Sequence, residues 1–223
     1  MFNSVLRAVL ESYLVLCITM WYSWGQVQSL EPGLESRLSF LLTLGLTVAC
    51  VGLPVFVFKF LDGNRARLTM ASFVQRYGSL YQNIDRHNYE ALVFTTIFLA
   101  RRCAFAFVIV NVVSTVTFQV LCLDLLSTMV LSYYLLVFPM QDCLNNFIQI
   151  FNEIVILVCI WSLFLFTNYV PEPELRHQFG EYFIQFIIFN CGVNLVCLVV
   201  MILASICSAI KTWFKRRTAK KKI

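Results

Sequence analysis

Charged residues are scarce in this 223-residue sequence, where Asp, Glu, Lys and Arg together make up 13%. The sequence contains no HExxH, GxSxG, P-loop or GxGxxG motif, so the common signatures of zinc peptidases, serine hydrolases and nucleotide-binding enzymes are absent. Its nine cysteines form no CxxC pair and no metal-ligand spacing, which indicates neither a disulfide framework nor a metal site. We therefore expect no enzymatic activity, no catalytic residues, no cofactor and no bound metal.

A soluble domain of ordinary size has no room in this chain, because apolar runs occupy most of its length. Hydrophobic residues make up 60% of the sequence, and the mean hydropathy is +0.78. Each run has about 18–28 residues, enough to cross a hydrocarbon layer of roughly 30 Å as a helix that satisfies its own backbone groups. We predict an all-α, polytopic membrane protein, a six-helix transmembrane bundle with spans near 8–25, 39–60, 92–114, 117–139, 147–169 and 183–210.

Basic residues predict how the chain is threaded. With six spans, both termini lie on one side of the membrane. That side carries five basic residues between the second and third spans and seven after the last span, whereas the opposite side carries only Arg37 and Arg176. The positive-inside rule then predicts an integral membrane protein with both termini in the cytosol. Because the net charge of +5 is concentrated in one tail, it does not indicate nucleic-acid binding.

The longest break between spans carries a helical pattern. Within 65–81, the apolar residues Met70, Phe73, Val74 and Tyr77 follow the i, i+3, i+4, i+7 spacing. This spacing predicts a short amphipathic helix on the cytosolic membrane surface. A linker helix packed beneath the bundle fits the same pattern equally well.

The segment 211–223 carries seven positive charges and no negative charge. Such a basic cytosolic tail either anchors the topology at the inner leaflet or binds anionic lipid head groups. The residues that we assign to this lipid surface are Lys211, Lys215, Arg216 and Arg217.

Four ionisable residues lie deep in apolar runs, where each costs roughly 2.5–3.5 kcal/mol at the centre of a helix. These residues are Arg101, Arg102, Asp124 and Glu153. Glu153 lies roughly 9 Å from the inner boundary and the arginines about 12–15 Å, whereas Asp124 lies about 20 Å away. Consecutive arginines point about 100° apart on a helix and cannot both face one carboxylate. We predict one ion pair with Glu153, and expect the other arginine to bond carbonyl groups or Asp124.

This charge group has three alternative roles: a structural link between the third and fifth spans, a polar pathway, or a lipid head-group site. Neutral polar residues serve either bundle packing or a pathway, and the candidates are Asn152, Asn190 and Asn194. Pro54 is a hinge candidate in the second span, because proline removes a backbone hydrogen bond and kinks a helix.

Several short motifs follow one another in a recognisable order. They are RYGSLY at 76–81, FLARRCAFAFVIV at 98–110, Gln119, a Pro139-containing turn with Asn145 and Asn146, and FNEI at 151–154. In order and spacing they resemble the TRP-like (transient-receptor-potential-like) C-terminal membrane domain of large surface proteins of single-celled eukaryotes. The resemblance implies a cation-channel role. The chain departs from that pattern in having no large cysteine-rich extracellular part, and it has no TVGYG-like filter between its last two spans.

Two function hypotheses remain open from the sequence. The first is a TRP-like channel or transporter domain that conducts cations. The alternative is a non-catalytic structural or accessory subunit of a larger membrane assembly. As partners we expect the lipid bilayer with its anionic inner-leaflet lipids, and either further copies of this chain or other subunits of a membrane complex.

Overall fold

The computed structural model describes residues 2–29, 33–81, 83–86, 88–113, 115–166 and 170–220, with the backbone alone for helical residues 2, 28, 29, 208, 212 and 214–220. The fold is all-α, as predicted. The helices are α1 (Phe2–Ser29), α2 (Leu34–Gly63), α3 (Ala71–Tyr77), α4 (Tyr89–Leu92), α5 (Phe94–Asn111), α6 (Val116–Val137), α7 (Cys143–Leu165) and α8 (Pro173–Lys220). Two 3₁₀ turns, Arg65–Arg67 and Gly78–Leu80, flank α3.

Six helical stretches are long and apolar enough to cross a membrane. They are Asn3–Val27, Leu34–Gly63, Tyr89–Asn111, Val116–Val137, Cys143–Leu165 and Pro173–Lys211. The chain is therefore an integral, multi-pass membrane protein, which confirms this part of the sequence prediction.

The third and last spans differ at their ends from the predicted boundaries. The third span begins earlier, at α4, where Asn88 caps the helix by accepting the Glu90 backbone N–H at 3.0 Å. It ends at Asn111 rather than 114. The last helix begins at Pro173, a residue favoured in a first turn. This helix continues through the predicted basic tail to Lys220.

The described chain divides into two compact units, Met1–Phe164 and Leu165–Ile223. In the first unit, α1, α2 and α5 pack against one another, and α6 packs on α5. Their shared core includes the fully buried side chains of Tyr13, Cys17, Met20 and Leu99. In the second unit, Phe183 of α8 makes an edge contact with Phe166 at 5.9 Å.

The connector between α2 and α4 (residues 64–88) contains a short helix within the predicted segment 65–81. It breaks into two 3₁₀ turns and the seven-residue α3. Leu68, Leu80 and Tyr81 are buried in the α1–α2–α5 core, whereas Met70 is exposed. Part of the connector is therefore packed against the spans, as the linker alternative predicts, and contact of α3 with the membrane surface stays a prediction.

Hydrogen bonds fix the connector to α1 and within itself. The Ser79 backbone N–H donates to Asn3 Oδ1 at 2.9 Å, and the Tyr81 hydroxyl donates to the Leu68 carbonyl at 3.2 Å. Burial raises the pKa of the Tyr81 hydroxyl, and the nearby Arg86 cation opposes that rise. The connector is thus bonded to the start of α1 and to itself.

The turn between α6 and α7 is also bonded to the connector. Ile84 and Met140 form an isolated antiparallel bridge, in which the Gln141 N–H donates to the Asn83 carbonyl at 2.9 Å. Buried Asn146 of α7 accepts the Met140 N–H at 2.9 Å and donates to the Met140 carbonyl at 2.8 Å. One side chain therefore holds the turn in the shape that the bridge requires.

Candidate intramembrane charge site

The central contact of the site joins α5 to α7. Arg101 Nη1 of α5 donates to Glu153 Oε1 of α7 in an ion pair. Arg101 Nη2 donates to Ser127 Oγ of α6 at 3.3 Å. The side chains of Arg101 and Glu153 are 20% and 6% exposed. The structure thus brings together the pair that the depth comparison favours, and adds a neutral partner from a third helix.

The second carboxylate oxygen of Glu153 has a different environment. Oε2 is buried and has no hydrogen-bond partner among the described residues. A buried acceptor without a partner costs on the order of 1–3 kcal/mol, and more when it carries charge. Such a group in a folded protein calls for an explanation such as an ion, a water molecule or a functional role.

Arg102 points away from this pair, as the 100° rotation between consecutive helical residues requires. Its Nη1 donates to the Leu10 carbonyl of α1 at 2.9 Å. Its guanidinium lies 4.0 Å from the centre of the Phe98 ring, a cation–π contact. Of the two partners expected for the second arginine, the structure therefore has the carbonyl.

Asp124 is not an arginine partner in the described chain. Its Oδ1 accepts the indole N–H of Trp161 at 2.7 Å. This bond joins α6 to α7 two helical turns beyond Glu153. The sequence analysis missed it because Trp161 has no charge that would mark it as a partner for a carboxylate.

The three asparagine candidates fall in different units. Asn152 is partly buried and precedes Glu153 in α7. Asn190 and Asn194 belong to α8, where the Asn194 amide donates to the Asn190 carbonyl at 3.0 Å and to its Oδ1 at 3.1 Å. Asn190 and Asn194 are thus bonded to each other within their own helix.

The hinge candidate Pro54 is buried inside an uninterrupted α2. Proline has no N–H, so the carbonyl four residues earlier, that of Cys50, loses its helical donor. The Tyr13 hydroxyl of α1 donates to that carbonyl at 2.7 Å. The proline therefore creates an acceptor by which α1 and α2 are joined, and its assignment as a hinge stays a prediction.

Three buried or partly buried cysteines meet near this bond. Cys17 of α1 and Cys50 of α2 are buried in the shared core, and Cys103 of α5 is packed against it. The described residues nevertheless include no group of three or more His, Cys, Asp or Glu side chains placed to hold a metal ion. This cluster could not be predicted from the sequence, because its members come from three helices far apart in the chain.

The predicted lipid-surface residues lie at the end of α8. Lys211 is exposed. The side chains of Lys215, Arg216 and Arg217 lie outside the described residues, although the backbone there continues as helix. Their role at a lipid surface stays a prediction.

Comparison of the chain with protein-family models, with curated proteins and with solved structures gave no match. The resemblance to TRP-like membrane domains therefore stays a prediction.

Proposed function

We propose that this chain is a channel-like or transporter-like membrane protein in which Glu153 is the intramembrane acceptor for a cation. The observation that supports the proposal is the unequal use of the two Glu153 oxygens. Oε1 is held by Arg101, while Oε2 is buried with no partner among the described residues. Ionisable residues inside membranes commonly belong to ion or proton pathways.

The chemistry follows from the charges. Arg101 neutralises Glu153 at rest, which lowers the cost of keeping a carboxylate in a low-dielectric environment. A cation that reaches Oε2 competes with Arg101 for the same carboxylate. Ser127 then offers Arg101 Nη2 a neutral partner on α6, at 3.3 Å. A cation-conducting role also agrees with what the TRP-like resemblance implies, and the basic residues support cytosolic termini.

A flux measurement in liposomes tests this function. The chain is reconstituted into vesicles, and cation flux is compared with that of empty vesicles over a range of voltages and lipid compositions. We expect flux from the unaltered chain and its loss in Glu153→Gln. The matched control is Asp124→Asn, because Asp124 is also an intramembrane carboxylate but is bonded to Trp161. Flux no higher than in empty vesicles, or equal loss in both variants, contradicts the proposal.

A non-catalytic accessory role in a larger membrane assembly is the second candidate. It is supported by the other deep charges, because Arg102 is bonded to the Leu10 carbonyl and Asp124 to Trp161. Such contacts join neighbouring spans, as the deep charges of a structural subunit would. Purification in mild detergent distinguishes this candidate: it predicts co-purifying membrane subunits, whereas a stable monomer without partners contradicts it.

A further inference from the structure

An open groove runs along one face of α2 and has a volume of about 830 Å³. The α2 residues that line it include Thr47, Val51, Gly52, Phe56, Lys59 and Phe60. Its walls are apolar, and Lys59 is the one charged residue that lines it in the described chain. We propose that this groove binds an anionic phospholipid, with one acyl chain along α2 and the phosphate of the head group at Lys59.

The shape of the groove depends on Gly52. A Cβ added at this glycine would meet no atom within 4 Å, so open space lies above it. Val51 and Phe56 also line the groove and are 49% and 62% exposed, so larger side chains lie on either side of the glycine. A membrane surface formed by larger residues alone would leave no such depression for a chain of methylene groups.

The length of the groove matches one lipid leaflet. Thr47 and Lys59 are twelve residues apart in a continuous helix, which corresponds to roughly 18 Å at 1.5 Å per residue. One leaflet contributes about half of a hydrocarbon core of roughly 30 Å. A single acyl chain therefore extends from the level of Lys59 to the far end of the groove.

The charge at one end selects the head group. Lys59 is exposed and lies one turn before α2 ends at Gly63, where a long basic side chain reaches the membrane interface. No carboxylate lines the groove among the described residues, and the nearby Asp62 is engaged by Arg65 at 3.4 Å. A lipid with a net negative charge is therefore favoured over a zwitterionic one.

Native mass spectrometry of the full chain in detergent tests the site. Phosphatidylserine and phosphatidylcholine with identical acyl chains are titrated separately, and the bound lipids are counted. We expect phosphatidylserine to bind about fivefold more tightly, the effect of one basic residue at an anionic lipid surface. Lys59→Gln should lower this preference relative to the unaltered chain, which has the same basic tail, and Lys59→Arg should retain it.

A second pair of variants tests the groove itself. Gly52→Leu fills the floor and should lower the binding of both lipids. Gly45→Leu is the matched control, because an added Cβ at Gly45 also meets no atom within 4 Å but Gly45 does not line the groove. Thermal unfolding of each variant establishes that it is folded.

Three results would overturn the proposal. They are equal affinity of the unaltered chain for the two lipids, equal losses in Gly52→Leu and Gly45→Leu, and a dimer that Gly52→Leu dissociates, which would assign the groove to a second copy of the chain. Cation flux does not enter this test, so the lipid site and the proposed function succeed or fail separately.

Discussion

The Tyr13 hydroxyl of α1 donates to the Cys50 carbonyl of α2 at 2.7 Å, one helical turn before Pro54. This carbonyl is the one that the proline leaves without a helical donor. Both Tyr13 and Cys50 are buried, at 1% and 3% exposure. The carbonyl that Pro54 leaves without a helical donor in α2 is therefore a specific contact point for Tyr13 of α1.

Tyr13→Phe should lower the free energy of unfolding by about 1–3 kcal/mol, because it leaves a buried carbonyl without a donor. Pro54→Ala restores a backbone N–H to α2, so the same tyrosine substitution should cost less in that background. Thermal unfolding of the two single variants and the double variant in detergent measures the coupling. Additive effects would show that the tyrosine does not compensate for the proline.

Removal of either partner of the Arg101–Glu153 pair should destabilise the protein strongly. Arg101→Gln or Glu153→Gln leaves one buried charge uncompensated, at a cost of about 3–5 kcal/mol. The double variant should be more stable than the sum of the single effects predicts. The control is Arg102→Gln, whose effect should add to that of Glu153→Gln because Arg102 is bonded to Leu10. Coupling of Glu153 to Arg102 instead would refute this pairing.

Asn146→Ala should cost more stability than Asn145→Ala. Asn146 is buried and makes two hydrogen bonds to the backbone of Met140, so its loss exposes both groups to an apolar environment at a cost of about 1–3 kcal/mol. Asn145 is half-buried, and its amide donates to the Asp142 side chain, at Oδ2, at 3.1 Å. The comparison uses the midpoint of thermal unfolding, and equal shifts would contradict the role of Asn146 in holding the turn.

Cysteine labelling tests the predicted threading. In a background whose exposed cysteines are replaced by serine, Met70→Cys and Lys211→Cys should react with an impermeant maleimide from the same side of sealed vesicles. Glu35→Cys, in the first turn of α2, should react from the other side. The positive-inside rule predicts this distribution. Labelling of the connector and the basic end from opposite sides would reverse the assignment of the last span.

The spans and part of the charge site could be predicted from the sequence because lipid imposes simple rules on both. A sufficiently long apolar helix satisfies its own backbone hydrogen bonds within lipid, and opposite charges at similar depth attract each other. The expectation that Glu153 has an arginine partner rested on depth alone, and the structure has Arg101 there.

The contacts between helix faces could not be predicted in the same way. Helices that are apolar all round carry no periodic signal for the side that a neighbour covers. The packing of Cys17, Cys50 and Cys103 in one core could therefore not be predicted. The same holds for the bond from Trp161 to Asp124. For a related reason, the spacing from Met70 to Tyr77 predicts an amphipathic helix whether its apolar side contacts lipid or protein.

The bonds along α7 limit how that helix can move. Asn146 and the Ile84–Met140 bridge immobilise its first turns, and Trp161 attaches its opposite half to α6 through Asp124. The Arg101–Glu153 contact lies between these two attachments. If that contact opens while the outer attachments persist, α7 is restrained at both ends against tilting and against rotation about its own axis. Opening of the pair would then be confined to the Arg101 and Glu153 side chains, with no displacement of the helix ends.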